Sequence, residues 1–388
     1  MRKFYIFTVL LTALTVLFTF LTPQASALEA PDVTADRSLL IEAATGQILY
    51  EKNMNDLAAP GGITKVMTLL IAVRAVEAGT ANLEDSVTAS PSALNAAGPN
   101  GGALHIAEGE TMRLRDLLYC AYIASSGDAC SVIAEHIAGS TGAFAALMNG
   151  EATRLGCDRT HFTNTNGSSD PGQYTTAWDQ YLILREAVNH VLFLKIAGTL
   201  TYKTASSSEF PTRIIHNSNL MLDASSDVYN KYCVAGKTDD TAQGKTSFVS
   251  CAKSGDRTLI CVVFGTDVAS ADGNAKEQSY FETKSLLDWG FTSYVWYTVL
   301  NTADVVAQEK VALAKETDSV DLRPQETITV LMRTDLTEDE VRRDIVVYGR
   351  IEGQPVTAPV KEGDILGQIT VTIDGVVRGH TSLVAAND

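Results

Sequence analysis

Positive charge is scarce in this chain. Its 388 residues carry 30 Lys and Arg against 46 Asp and Glu, a formal net charge of −16. Such a surface repels nucleic acid and anionic lipid, so neither is an expected partner. Metal-binding patterns are lacking too. The six histidines are scattered, and the chain has no Cys-x-x-Cys or His-x-x-x-His spacing. A structural or catalytic metal is therefore not expected, and no motif asks for a cofactor. Internal repeats and low-complexity tracts are absent, and Asp388 follows no basic amphipathic helix or apolar tail, so no C-terminal membrane anchor is expected.

The one long apolar run is at the N-terminus. Arg2 and Lys3 precede Phe4 to Leu21, and Ala25-Ser26-Ala27 supplies a small-residue cleavage site. These features predict a signal peptide over residues 1–27. The mature protein is then exported, to the cell surface, periplasm or medium, with 28 basic against 46 acidic side chains and a charge of −18. About 360 residues remain, enough for two domains with their own cores.

An exported protein with six cysteines could form disulfides. The neighbourhoods of Cys120, Cys130, Cys251 and Cys261 point instead to buried free thiols, because each lies in or beside an apolar run. Pairing Ser254 with Arg257 around Gly255-Asp256 sets Cys251 opposite Ile260, with the sulfurs of Cys251 and Cys261 on opposite faces of the sheet.

The patterning changes character along the chain. Ser38 to Ala43 and Gln47 to Glu51 predict a hairpin around Thr45-Gly46. Ile63 to Ala78 predicts a helix with Val66, Leu69, Leu70, Val73 and Val76 on one stripe and Gly79 at its end. Ser90 to Glu110 reads as an irregular crossover. Helices are expected at Leu114 to Ile123, Asp128 to Ile137, Ala143 to Leu155 and Thr176 to Val188. Two buried strands follow, Thr246 to Lys253 and Arg257 to Thr266. The last helix is expected over Lys276 to Trp289, closed by Gly290. After about residue 292 the chain reads as all-β, with strands at Glu326 to Arg333, Asp344 to Ile351 and Leu366 to Ala385, the last folded at Asp374-Gly375. The expected layout is a domain over 28–291 and a β-rich domain over 292–388.

Ala59-Pro60-Gly61-Gly62-Ile63-Thr64-Lys65-Val66-Met67-Thr68 reads as a helix start, with Lys65 in the place of a Ser-x-x-Lys lysine. Residues i and i+3 share a helix face, so a lysine there can take a serine's proton. Gly62 offers no hydroxyl. Thr64 has one, but it points about 200° away around the axis. Further on come Ser125-Ser126-Gly127 between two helices and Lys237-Thr238-Asp239 before the strand pair.

In order and surroundings these three stretches resemble the motifs of the serine-type D-alanyl-D-alanine carboxypeptidases, the low-molecular-mass penicillin-binding proteins. The likeness runs from about Ser38 to Gly290 and includes Leu49-Tyr50-Glu51-Lys52-Asn53, Ala134-Glu135-His136, Tyr174-Thr175-Thr176-Ala177 and Asn217-Ser218-Asn219-Leu220. It implies an α/β (α+β) transpeptidase fold of the penicillin-binding and β-lactamase type. That fold is an antiparallel sheet flanked by helices, here followed by a small all-β domain. It also implies a serine that forms the acyl-enzyme at position 62, a lysine base at Lys65, a proton-passing serine at Ser125 and an asparagine at position 127. Lys237 and Thr238 match residues that bind the substrate's terminal carboxylate, followed by a glycine at position 239.

Three of these positions depart from the pattern: Gly62, Gly127 and Asp239. Side chains alternate along a strand, so Lys237 and Asp239 share a face, and Asp239 brings bulk and negative charge towards the cleft. An ion pair between Asp239 and Lys65 is one expected consequence, because buried charges need partners. The resemblance implies release of terminal D-alanine from peptidoglycan stem peptides; the departures imply a site that is inactive or strongly impaired. An active carboxypeptidase, and a non-catalytic protein binding muropeptides or a cell-wall protein, both remain open. A β-lactamase fits less well, given the C-terminal β domain.

Overall fold

A computed structural model describes residues 28–98, 104–206, 210–240, 245–267, 278–315, 318–348 and 356–388. The expected signal segment lies outside the described residues, as do parts of the crossover, the last helix and the strand expected to end at Ile351.

Strands β1 (Arg37–Glu42) and β2 (Ile48–Lys52) form the N-terminal hairpin, with Gly46 in the left-handed region at φ 72°. A 3-10 turn, Gly61–Thr64, leads into helix α1 (Lys65–Glu77). The expected apolar stripe is there, but Lys65, Met67, Thr68 and Ala72 are buried as well. The first two turns of α1 are therefore enclosed nearly all round, as befits a central core helix. Helices α2 (Leu114–Tyr122), α3 (Gly127–Ala138), α4 (Thr141–Leu155) and α5 (Ala177–Ala187) pack around it. Side chains of Ser126, Ser140 and Thr176 cap the last three, accepting from the amides of Ala129, Ala143 and Asp179. The crossover is less irregular than its composition suggests. Pro91–Ala97 is a short helix, because Ser90 caps it and proline suits its first position.

Strands β3 (Cys233–Asp240), β4 (Lys245–Ser254) and β5 (Arg257–Asp267) complete an antiparallel sheet of order β2-β1-β5-β4-β3. This leaves β3 at an edge. Ser254 pairs with Arg257 and Cys251 with Ile260, and all six cysteines are buried and free. Helix α6 (Gln278–Ser293) runs through Gly290 rather than stopping there. A Cβ on Gly290 would sit 2.8 Å from Leu40 and 2.9 Å from Leu259, so the glycine lets the helix approach the sheet.

The chain divides into two compact units, one spanning Ala30–Phe291 and the other containing Thr292–Asp388. Among the described residues, the regular elements of the second unit after the end of α6 are strands, apart from the 3-10 turn Glu338–Glu340. One sheet has the strand order Val341–Val347, Ile365–Ile373, Val376–Ala385, Ser319–Pro324, Ala307–Ala312, Val356–Thr357, and Tyr294–Leu300 pairs with Ile328–Arg333. Asp374 and Gly375 both have positive φ, 51° and 74°, the backbone of a type I′ hairpin turn. Val320, Leu322, Ile369, Val371 and Leu383 form its core. The strands before residue 325 have no counterpart in the sequence reading, since short runs such as Ser-Val-Asp-Leu-Arg-Pro put only two or three apolar residues inward.

Candidate active site

At the start of α1 the backbone turns sharply. Gly61 has φ 48°, a left-handed conformation that favours glycine. The Ile63 amide bonds to the Pro60 carbonyl at 3.0 Å, and the Gly62 amide points outward, as the first amides of a helix do. It donates to Asp239 Oδ1 at 2.5 Å. A Cβ on Gly61 would lie 2.1–2.4 Å from the Asp239 carboxylate atoms. One on Gly62 would lie 3.1 Å from Oδ1 and 3.2 Å from the Thr238 carbonyl oxygen. The carboxylate thus fills the space where a side chain at either position would begin. Gly167 closes another side; its φ is 83°, and a Cβ there would fall 1.9 Å from the Gly61 carbonyl oxygen.

Lys65 is 6% exposed, and its Nζ donates to the Asn166 carbonyl oxygen at 2.5 Å. That carbonyl is fixed from several directions. Asn166 Nδ2 donates to the Ala97 carbonyl at 3.0 Å, and its Oδ1 accepts from the Ser168 amide at 2.9 Å. Thr68 Oγ1 of α1 donates to the Thr165 carbonyl at 2.6 Å. The expected ion pair between Lys65 and Asp239 is therefore not the arrangement found. The helix-start amide takes the carboxylate, and a carbonyl from the 163–173 loop takes the ammonium. A backbone amide at a helix start is a donor already in place, whereas Lys65 lies one position into α1 and reaches towards the loop.

Lys237, on β3, is 1% exposed. Its Nζ donates to Ser218 Oγ at 3.2 Å and lies 5.9 Å from the centre of the Tyr122 ring. Ser218 is held by its amide on the Ile123 carbonyl, 2.9 Å, and by Tyr280 OH donating to its carbonyl, 2.7 Å. Thr238 Oγ1 faces the neighbouring strand and donates to the Ser247 carbonyl at 3.5 Å. Ser125, just before α3, is half-buried and held at φ 56°. Gly127 is the buried first residue of that helix. Burial pushes the Cys130 thiol up to about 11, and the charges of both Lys65 and Lys237 pull against it.

The fold therefore brings Gly62 and Asp239 into direct contact, turns Lys65 to the Asn166 carbonyl and Lys237 to Ser218, and places Ser125 in the turn just before α3. Sequence reasoning missed Gly61, Asn166 and Gly167. The Gly61-Gly62 pair and the Asn166-Gly167 pair were the available signals, since both dipeptides favour left-handed backbone. The nature of the contact they make, across about a hundred residues of chain, has no local signature.

Comparisons with known proteins agree with this architecture. Residues 24–268 match the D-alanyl-D-alanine carboxypeptidase family, and residues 294–388 match the C-terminal domain of penicillin-binding protein 5. The chain is 29% identical to D-alanyl-D-alanine carboxypeptidase DacF of Bacillus subtilis, over 91% of this chain and 85% of the relative. It is 28% identical to DacC of Escherichia coli, over 89% and 82%. Among solved structures, the carboxypeptidase DacD of Francisella tularensis superposes with a TM-score of 0.72 at 22% identity, covering 93% of this chain and 94% of that one. Penicillin binding protein 5 of Haemophilus influenzae gives 0.67 at 24%, covering 93% and 98%. The two structural likenesses establish a shared penicillin-binding-protein fold. The family match extends over most of the chain, including all three motif positions, and on that ground this protein belongs to the D-alanyl-D-alanine carboxypeptidase family.

Proposed function

We propose that this protein is an exported member of the carboxypeptidase family whose site no longer acylates and whose cleft binds peptidoglycan stem peptides. The observation that carries this reading is the Gly62 amide bonded to Asp239, at a position where the family's chemistry needs a hydroxyl. Acyl transfer requires an attacking oxygen beside its base. Lys65 stands in the base position and Ser125 in the proton-passing position, with nothing at residue 62 to activate. Gly127 has no side-chain amide to orient a substrate. Lys237 and Thr238 remain as peptide-binding positions, beside the carboxylate of Asp239. Export after cleavage near Ala27 places the protein where stem peptides and cell-wall proteins occur. Loss of the nucleophile from a comparable catalytic unit lowers turnover by about six orders of magnitude.

Purified mature protein is expected to take no covalent label from a fluorescent penicillin and to release no D-alanine from a pentapeptide, while binding that peptide saturably. Labelling that disappears in Ser125→Ala would reveal a second serine acting as nucleophile and overturn the proposal. The alternative, an active carboxypeptidase, is favoured by the family match together with the retained Lys65, Ser125, Lys237 and Thr238. D-Alanine release at the rate of an ordinary enzyme of this type, above a few per second, would establish it.

A further inference from the structure

Among the described residues, the larger sheet of the second unit ends on Val341–Val347, which pairs only with Ile365–Ile373. The Tyr348 amide bonds inward, to the Leu366 carbonyl at 2.7 Å. An antiparallel ladder alternates, so the N–H and C=O groups of Arg343, Ile345 and Val347 point away from the sheet. Edges of this kind are normally guarded by charge, proline, bulges or short length. Here the guard stops half-way. Arg343 lies along the first half, donating to the Val341 and Val299 carbonyls and to Glu338. Beyond Asp344 the run Ile345-Val346-Val347-Tyr348 has no charge, glycine or proline, and Val346 is 59% and Tyr348 48% exposed.

What fits an open edge is another strand, and this strand is complementary to itself. With a two-fold axis through Ile345, its outward main-chain groups meet their own copies, and those of Arg343 meet those of Val347. On one face of the joined sheet Arg342 then stands opposite Tyr348, and Asp344 opposite Val346. On the other face Arg343 stands opposite Val347. No like charges are opposed, and an arginine faces an aromatic ring, a favourable pair. Neighbouring registers are worse. An axis through Asp344 sets its carboxylate against its own copy, and an axis through Val346 carries Arg342 and Arg343 beyond the end of the other strand. The strand is also locally basic, with two arginines to one aspartate, in a chain of net charge −16. The mutual repulsion of two acidic molecules is therefore least at this edge.

We propose that Val341–Val347 is a self-association edge. Two copies of this chain join antiparallel through it, about a two-fold axis at Ile345, so that the sheet continues from one molecule into the next. This is independent of what the cleft binds. One strand against one strand is smaller than a standard interface, so the dimer is weak, with a dissociation constant of about 10–100 μM.

Sedimentation equilibrium of the full mature protein, from well below to well above that concentration, is expected to show monomer passing to dimer. Val346 is exposed, so a charge there leaves the fold intact. Val346→Asp puts a carboxylate opposite Asp344 of the second copy and should weaken the dimer by about fivefold or more, since the axis repeats the contact. Val346→Lys gives that aspartate an opposite charge and should tighten the dimer. Ile345→Cys, on the axis, should cross-link two chains under mild oxidation, because facing Cα atoms of such a pair lie about 5.5 Å apart, within disulfide range. The six native thiols are buried and do not compete. A protein that stays monomeric throughout overturns the proposal and leaves the edge to a strand of another protein. A dimer that both charges at 346 shift in the same sense, or that neither shifts, overturns the pairing about Ile345, as does a dimer that Ile345→Cys fails to cross-link.

Discussion

At the scale of single residues, Gly62 and Asp239 have to be read together. A serine at 62 would bring its Cβ to 3.1 Å from Asp239 Oδ1 and 3.2 Å from the Thr238 carbonyl, tighter than ordinary packing. Restoring the hydroxyl alone therefore sets the new side chain against the carboxylate. Gly62→Ser is expected to destabilise the protein by about 1–3 kcal/mol, as overpacking does. Asp239→Gly removes the carboxylate and with it a charge-assisted bond to the Gly62 amide, a loss of about 1.5–3 kcal/mol. The double variant should lose clearly less than the sum of the two, with a coupling of at least about 0.5 kcal/mol in urea unfolding. Strict additivity would mean that the two residues do not share the space described. The missing hydroxyl at 62 and the cleftward face of Asp239 are both legible in the sequence, the second from the two-residue period of a strand. The donor that the carboxylate finds is not, because Gly62 and Asp239 are 177 positions apart and strand period says nothing about distance.

At the scale of elements, the free thiols are legible in the apolar neighbourhoods of the cysteines and in one hairpin register. The Ser254–Arg257 pairing fixes Cys251 opposite Ile260, and burial does the rest. Burial pushes Cys120 and Cys251 up to about 12 and Cys130 and Cys233 up to about 11, and it raises Cys157 and Cys261 further. Thiolate is the reactive form, so at pH 8 the native thiols should be inert. An aromatic disulfide reagent is expected to titrate none of the six in the folded protein and all six in denaturant. Rapid reaction of even one native thiol would contradict the burial described. The last helix went the other way. Gly290 has the sequence appearance of a stop, yet α6 continues to Ser293, because the missing side chain serves the approach to Leu40 and Leu259. A glycine's packing role depends on what lies opposite it, which a local reading does not contain.

At the scale of the whole molecule, the site is assembled from parts distant in the chain. The α1 start, the 163–173 loop and β3 each supply one component, and α1, whose first two turns are buried nearly all round, is the frame on which they meet. On the proposal that the site no longer acylates, recovery of chemistry should need all the departures to be reversed together. The triple variant Gly62→Ser, Gly127→Asn, Asp239→Gly is expected to release D-alanine measurably, and Gly62→Ser alone to release little. If the single variant matched the triple, Asp239 and Gly127 would have no part in the loss. The sequence by itself determined the class of fold, the helices around α1, the main strand pair, the all-β character after residue 292 and the three degenerate motif positions. These depend on periodicity, turn chemistry and local motif order, all of which are written within a few residues. Only the tertiary structure decided that Asp239 bonds to the Gly62 amide while Lys65 turns to the Asn166 carbonyl. Choosing between two partners of opposite sign requires knowing which donor lies within hydrogen-bonding reach, and that is settled by how the sheet edge and the loop pack on α1.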